Sequence, residues 1–559
     1  MSARARIVAV FVGGATVVAL GCSSDSGGTS DAAGKGGGAG SASAGRGGAG
    51  TGVAGTGATG IAGATGAAGA GVTMADVGLG FKDTSASVLT RNKHETRDGH
   101  FIQPTFKPYE VRARMMGDTT FAPTFSGSML GSPLYMEDGP AGKGAFFIAT
   151  TLNDVYALDE TTGAVVWKQN IGPAPLAPGV ACGNVAPVGI ISTPVIDAAS
   201  RTIFVAGAVG DAATIMHHEV HALSVDTGAE RLGWPVDASA LTAPGPIAFN
   251  APAQNQRSAL SLVNGILYVP YGGHAGDCDQ YRGWVVAIKI ADPTQTAAWA
   301  TGGTGEGIWA PGGLASTGDG VLAITGNNVE GSTVHLDSEE VVHIRGMAQV
   351  DRTTGIFYPS AWHDMDLGDQ DFGSSNGVVF DLPGATPSIL MAAVSKNGLF
   401  FLLDPANLGG MDGYLAQLTV AQGPVKAAPV AYRTALGTYV LFSAFNAYPF
   451  CPAGTPVASS TVYSVAVAIT PGSPPTAKVA WCNFGSIPQF IVTSSDSTND
   501  VIAWLSSGGV LYGHDGDTGS IIVAVSDLKC PGVTMASPIA VKGRIIQGSG
   551  SGLCSYSLH

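Results

Sequence analysis

The chain has little charge: 12% of its 559 residues are Asp, Glu, Lys or Arg. Acidic residues outnumber basic ones 41 to 27, for a formal net charge of −14. No Lys/Arg cluster interrupts that balance, which argues against nucleic acid as a partner, because phosphate binding needs a basic stripe. The chain also lacks His-Glu-x-x-His, Gly-x-Ser-x-Gly and a phosphate loop, which argues against the familiar hydrolase classes. Gly548-Ser549-Gly550-Ser551-Gly552 has Gly at its centre and is no nucleophile elbow. No Cys-x-x-Cys occurs, so zinc ribbons, thioredoxin-like redox centres and c-type haem attachment lack their motifs. Helical periodicity is scarce as well. Short runs rich in Val, Ile and Thr, bounded by Gly, Asp or Pro, read instead as an all-β fold.

The N-terminus differs from the rest. Arg4 and Arg6 precede an apolar run over 7–20, followed by a small residue before Cys22. Residues 1–21 therefore read as an export signal, with a run too short and too Gly-broken to span a membrane. Ala19-Leu20-Gly21-Cys22 resembles the lipobox of bacterial lipoproteins, which implies lipidation of Cys22 and anchoring to a membrane. Ser23 after Cys22 resembles the pattern sorted to the outer membrane, on its periplasmic or cell-surface side. Residues 22–76 are dominated by Gly, Ala, Ser and Thr and cannot bury enough apolar surface to fold. A coil of ~50 residues spans roughly 40 Å r.m.s., which suits a tether. Residues 77–559 are then the folded domain.

Cys22 apart, six cysteines remain: Cys182, Cys278, Cys451, Cys482, Cys530 and Cys554. An even set in an exported chain implies disulfides, with about 15 connectivities open.

Four strands end in a related phrase: Asp159-Glu160-Thr161-Thr162-Gly163, Asp226-Thr227-Gly228, Asp351-Arg352-Thr353-Thr354-Gly355 and Asp517-Thr518-Gly519. Asp and Thr bond the nearby backbone, and Gly takes the positive φ that closes the turn. Gly163 and Gly228 are 65 residues apart, Gly228 and Gly355 are 127, and Gly355 and Gly519 are 164. These spacings fit one, two and three units of about 60 residues, longer than WD40 or kelch blades. Seven units end near Val525, and the piece after Ala536 looks one strand short. A strand drawn from 112–125 would complete it, giving eight four-stranded blades of a β-propeller.

The unit Phe146-Phe147-Ile148-Ala149-Thr150, Val155-Tyr156-Ala157-Leu158-Asp159, Thr162-Gly163, Trp167 resembles the PQQ repeat. That repeat builds the eight-bladed propellers of pyrroloquinoline-quinone (PQQ) alcohol dehydrogenases and the assembly scaffold BamB. In such blades Trp167, Trp234, Trp299 and Trp481 stand where docking aromatics belong. Ser87-Val88-Leu89-Thr90-Arg91-Asn92, Arg97-Asp98-Gly99, Cys182-Gly183-Asn184 and Gly283-Trp284 are similar to a bacterial group of exported PQQ-like propellers, and the resemblance covers 77–559.

The resemblance implies a site. Gly307-Ile308-Trp309 and Ile324-Thr325-Gly326-Asn327 look like the floor Trp beneath PQQ and a calcium-binding Asn. Asp369-Gln370-Asp371 resembles the catalytic Asp with a second Asp two residues on, and Ser395-Lys396-Asn397 the basic residue that reaches the quinone oxygens. Asn327, Asp369 and Asp371 would offer a hard cation its oxygen ligands, Asp369 would take an alcohol proton, and Lys396 would stabilise charge on the quinone. Two parts of the pattern are missing. The adjacent Cys pair and the following Arg are absent at Val180-Ala181-Cys182-Gly183-Asn184, and the metal Glu is replaced near Asp277-Cys278-Asp279, where Asp277 is the substitute. The resemblance thus implies either a PQQ- and calcium-dependent oxidoreductase acting on an alcohol or sugar-like small molecule, or a non-catalytic scaffold for an envelope protein partner. Either way the chain is read as a monomer. Any electron acceptor would be a separate protein, since no haem attachment motif is present.

His217, Glu219 and His221 share one face of a strand and could together bind zinc or copper. The repeat places polar residues on this strand, however, and His221 stands just before Ala-Leu, so they read as repeat positions.

Overall fold

The computed structural model describes residues 81–559, apart from 457–460, 486–488, 529 and 533–534. The export signal at 1–21, the Cys22 anchor and the whole tether to 76 lie outside the described residues. Among the described residues no helix is long and apolar enough to cross a membrane.

The chain forms an eight-bladed β-propeller of mainly four-stranded antiparallel blades. Blade 1 (134–170), blade 2 (195–237), blade 3 (261–300), blade 4 (321–358), blade 5 (378–419), blade 6 (430–484) and blade 7 (491–525) follow in chain order. Each runs outward as a meander. In blade 1 the two central strands, Ala145–Ala149 and Asp154–Asp159, are buried almost throughout, whereas the outer strand Val165–Asn170 exposes Val165 and Val166. A central strand faces a neighbouring blade on each side, so its sequence is a continuous apolar run rather than an alternation. Phe147 and Trp167 of blade 1 pack with Ile203 and Val205 of blade 2, and such seams recur around the ring.

Blade 8 (539–558) is completed from the N-terminal side. Met115–Gly117 pairs antiparallel with Leu553–Leu558, Met115 opposite Leu558 and Gly117 opposite Tyr556. The strand expected within 112–125 is thus only three residues long, because Pro108–Arg114 forms a short helix before it. Joining the two ends in one blade removes the open edges that two free blades would present.

The turns carry out the expected chemistry with two variations. Asp159 Oδ1 accepts from the Thr161 and Thr162 amides, and Gly163, at φ +71°, donates to the Asp159 carbonyl at 2.9 Å. Asp515 plays that part before Gly519. In blade 2 Ser224 holds the position instead, since Gly228 donates to its carbonyl, while Asp226 pairs with Arg201. Gly355 closes its turn on the Asp351 carbonyl without a positive φ.

Three of the four tryptophans lie in the blade seams as expected, and two of them also bond the next blade. Trp167 Nε1 donates to the Val225 carbonyl of the next blade at 2.8 Å, and Trp481 Nε1 to the Gly516 carbonyl at 3.0 Å. A Cβ on Gly228 would lie 2.7 Å from the Trp167 ring, and one on Gly519 2.3 Å from Trp481. The glycines therefore serve the turn and the docking ring together. Trp299 is buried in the seam towards blade 4, whereas Trp234 is half-buried and packs on Phe204 of its own blade.

Residues 88–99 cross the centre of the ring. Carbonyls of Leu89, Glu95, Thr96, Asp98 and Gly99 accept from Ile196, Ser316, Val379, Ala431 and Val492, which lie on or beside the innermost strands of blades 2, 4, 5, 6 and 7. His100–Ile102 then adds a parallel strand to the inner edge of blade 7. This segment is a plug across the axis. Arg97 locks it through bonds to Leu314 O, Thr90 Oγ1, Arg91 O and Leu260 O. Gly99 is required there: a Cβ would come within 2.6 Å of Val430.

The six cysteines pair as Cys182–Cys278, Cys451–Cys482 and Cys530–Cys554. The first joins the loop before blade 2 to a loop of blade 3.

Candidate axial site

Residues two to four positions before the innermost strands converge on the axis: Arg257 before blade 3, Lys426 before blade 6, Gln489 before blade 7 and Met535 before blade 8. Together with loops from blades 3 to 5 they line a cavity of about 410 Å³. The plug bonds to residues further along the same inner strands, so it closes the axis below the cavity.

All six residues singled out from the sequence lie in this wall: Asp277, Trp309, Asn327, Asp369, Asp371 and Lys396. They span 120 positions of chain and arrive from three blades. Lys396 binds both carboxylates, Nζ lying 2.6 Å from Asp369 Oδ1 and 2.9 Å from Asp371 Oδ2. Asp371 is buried, and its Oδ1 accepts from Trp309 Nε1 at 3.4 Å and from the Asn327 amide at 3.2 Å. Asp369 is the exposed member of the pair, its side chain 71% accessible. Burial pulls the Lys396 ammonium down, but the Asp371 and Asp369 charges outweigh it and hold it above its ordinary value.

Across the cavity, Asp277 accepts from the Tyr281 hydroxyl at 2.6 Å. Burial raises Asp277, and the Asp371 and Asp369 charges push the same way against the Tyr281 bond. Asp277 and Asp369 both sit at positive φ, 50° and 51°, a conformation that Asp tolerates better than most residues. Cys182–Cys278 fixes the loop that carries Asp277 and His274.

Several wall residues carry no sequence motif: Arg257, His274, Tyr281, Lys426 and Gln489. The Arg257 guanidinium lies 6.0 Å from the Trp309 ring centroid, and its Nε is buried without a hydrogen-bond partner. His274 Nε2 is likewise buried and unpartnered, and burial lowers this imidazole to about 4, so it is neutral at pH 7. One signal could have found Arg257, Lys426, Gln489 and Met535: in a propeller, residues a few positions before each innermost strand face the axis.

Behind the cavity lies an acidic layer. The Phe372 amide donates to the buried Glu339, next to Asp371. Asn328 Nδ2 donates to Glu306 Oε1 at 2.9 Å and its amide to Asp366 Oδ1 at 2.8 Å. Burial raises Glu306 to about 7, helped by Asp337 and Asp366, and raises Asp366 to about 6.

The histidine cluster does not form one site. His217 bonds Asp237, and His221 bonds Glu230 at 2.6 Å and Glu219 at 3.3 Å. Among the described residues no three His, Cys, Asp or Glu side chains are arranged to hold a metal ion.

No family model and no curated protein matches the chain. Solved structures do. A quinohemoprotein alcohol dehydrogenase from Comamonas testosteroni aligns over 85% of this chain and 81% of its own, at 12% identity and a TM-score of 0.55. The quinohemoprotein alcohol dehydrogenase ADHIIG from Pseudomonas putida HK5 aligns over 85% and 80%, at 14% identity and 0.58. A europium-containing methanol dehydrogenase aligns over 84% and 98%, at 14% identity and 0.55. At these identities the likeness establishes the shared propeller fold.

Proposed function

We propose that the chain is an envelope-anchored oxidoreductase that holds a carboxylated quinone of the PQQ class in its axial cavity and oxidises an alcohol or sugar-like substrate. The observation that carries this reading is the convergence of Asp277, Trp309, Asn327, Asp369, Asp371 and Lys396 on one cavity. The donor set fits a planar anionic quinone: an indole face at Trp309, cations at Lys396, Arg257 and Lys426, and unpartnered polar atoms at Arg257 Nε and His274 Nε2. The bound quinone would supply a two-electron acceptor. Trp309 would support its ring, and Lys396 would balance negative charge on its oxygens. Asp369, the exposed carboxylate, would accept the substrate's hydroxyl proton. Asp371, held by Trp309, Asn327 and Lys396, positions that pair.

Calcium does not fit the side chains as they stand. Lys396 occupies both carboxylates, the Asp371 oxygens are engaged, and Asp277 is tied to Tyr281. No step is assigned to a metal. The same facts favour the second reading, a scaffold that keeps the propeller and has lost the chemistry. Lipidation at Cys22 and attachment to the outer membrane belong to the proposal and are checked by loss of fatty-acid labelling in Cys22→Ala.

Dye-linked oxidation of primary alcohols and aldoses by the full chain with PQQ, with and without calcium, tests the enzyme reading. Turnover lost at least about 100-fold in Asp369→Ala is expected for a general base. No turnover under any of these conditions favours the scaffold.

A further inference from the structure

A second chamber of about 480 Å³ adjoins the axial cavity and shares Asn184, Arg257 and Met535 with it. Its remaining wall mixes hydroxyls, Ser128 and Thr151, with Leu130, Val185 and Ala186. Three cations gather around Met535. Arg257 and Lys426 line the cavity beside it, and Arg91, beneath, donates to the Met535 carbonyl at 2.7 Å.

None of the three, the buried Arg91, the half-buried Arg257 and the exposed Lys426, forms an ion pair among the described residues, whereas other cations of the interior do. Arg97 has Glu95, Lys93 has Asp83, and Lys396 has Asp369 and Asp371. Arg91 is 1% exposed, yet its Nε and Nη2 have no partner, nor has Arg257 Nε. Burial lowers the Lys426 ammonium, Lys396 and Arg257 push the same way, and Asp369 and Asp371 oppose them. The acid nearest to Arg257 electrostatically, Asp277, is engaged by Tyr281. A buried or half-buried guanidinium left without an opposite charge, as at Arg91 and Arg257, is costly unless something supplies that charge.

We propose that Arg257 and Lys426, backed by Arg91, form an anion subsite at the junction of the two chambers that takes the carboxylate of a small organic acid. Guanidinium–carboxylate pairing is short, directional and charge-assisted, and Asn184, Ser128 and Thr151 suit the hydroxyls of an acid such as a sugar acid. The carboxylate has two sources, the quinone or a hydroxy-acid substrate. The inference rests on the axial cavity of the proposed function, but not on the identity of its cofactor.

The test is calorimetric titration of the full chain with PQQ, with gluconate and with uncharged glucose, on wild type, Arg257→Gln, Arg257→Lys and Lys426→Gln. We expect at least one of the two acids to bind, weakening as salt rises, and glucose not to bind comparably. Each Gln variant should weaken that acid roughly 10- to 100-fold, the range of one charge-assisted hydrogen bond, with partial rescue in Arg257→Lys. Gluconate alone sensitive to the substitutions assigns the subsite to substrate, and PQQ alone assigns it to the cofactor. PQQ binding unchanged in both Gln variants, without gluconate binding, overturns the subsite while leaving the quinone reading intact. Gluconate binding without PQQ binding keeps the subsite and overturns the quinone. If neither acid binds, the subsite is overturned.

Discussion

Two arginines, Arg97 buried and Arg257 half-buried, meet the entry of blade 3, and the fold treats them differently. Arg97, in the plug, donates to Leu260 O and to four further oxygens, and it pairs with Glu95. Arg257, three residues before Leu260, faces the cavity with its Nε unpartnered. Burial costs both of them. The plug repays that cost within the chain, whereas the cavity wall leaves it outstanding. Arg97 thus ties the plug to the entries of blades 3 and 4, whereas Arg257 Nε has no such tie among the described residues.

The contrast can be broken by exchanging roles. Arg97→Ala should cost about 3–5 kcal/mol in denaturant unfolding, because it strands Glu95 and several carbonyls in the interior. Arg257→Gln should change stability by less than about 1 kcal/mol, since its side chain makes no hydrogen bond or ion pair among the described residues, only the contact with the Trp309 ring. Equal losses in the two variants would erase the distinction.

Next in size is the ring itself. Trp481→Ala removes a docked ring and its bond to Gly516 O, and should cost about 3–5 kcal/mol. Trp234→Ala, at a half-buried ring with no hydrogen bond to the next blade's backbone among the described residues, should cost less than half as much in the same measurement.

The smallest effect separates the two ends by pH. His94, in the plug, is raised to about 9: burial alone would lower it, but Asp98 and Asp83 outweigh that. Its contribution is fully present below its ordinary value of 6.5 and is lost as pH rises through 9. Glu306, behind the cavity, is raised by burial to about 7 from 4.5. A raised acid binds its proton more tightly when folded, so stability falls between pH 4.5 and 7. Both losses run the same way in adjoining windows, each on the order of 1–3 kcal/mol. Glu306→Gln should shrink the lower step, to which the raised Asp366 also contributes, and His94→Gln should remove the upper one, followed as melting temperature against pH. A single step unaffected by Glu306→Gln would remove the acidic layer from the account.

The propeller was legible because a blade repeats its constraints. Asp159, Thr162, Gly163 and Trp167 declare turn and docking together, and the deficit after Ala536 called for a strand from the N-terminus. The plug was not legible. Its bonds are carbonyl contacts made once by 88–99 to distant strands, and no periodicity records them. The cavity wall was half legible. Trp309, Asn327, Asp369, Asp371 and Lys396 sit in departures from the repeat, whereas Arg257 and Lys426 occupy ordinary blade-entry positions whose meaning depends on the closed ring. The cysteine pairing stayed open for the same reason: Cys182 and Cys278 meet across two blades.

The central claim is that the axial cavity holds a planar anionic ligand against Trp309. It is tested most directly by the absorbance change of PQQ titrated into the full chain and into Trp309→Ala. A saturable change in the wild type, weakened at least about tenfold in Trp309→Ala, is expected from the loss of one aromatic face. No saturable change, or the same curve for both proteins, would contradict it.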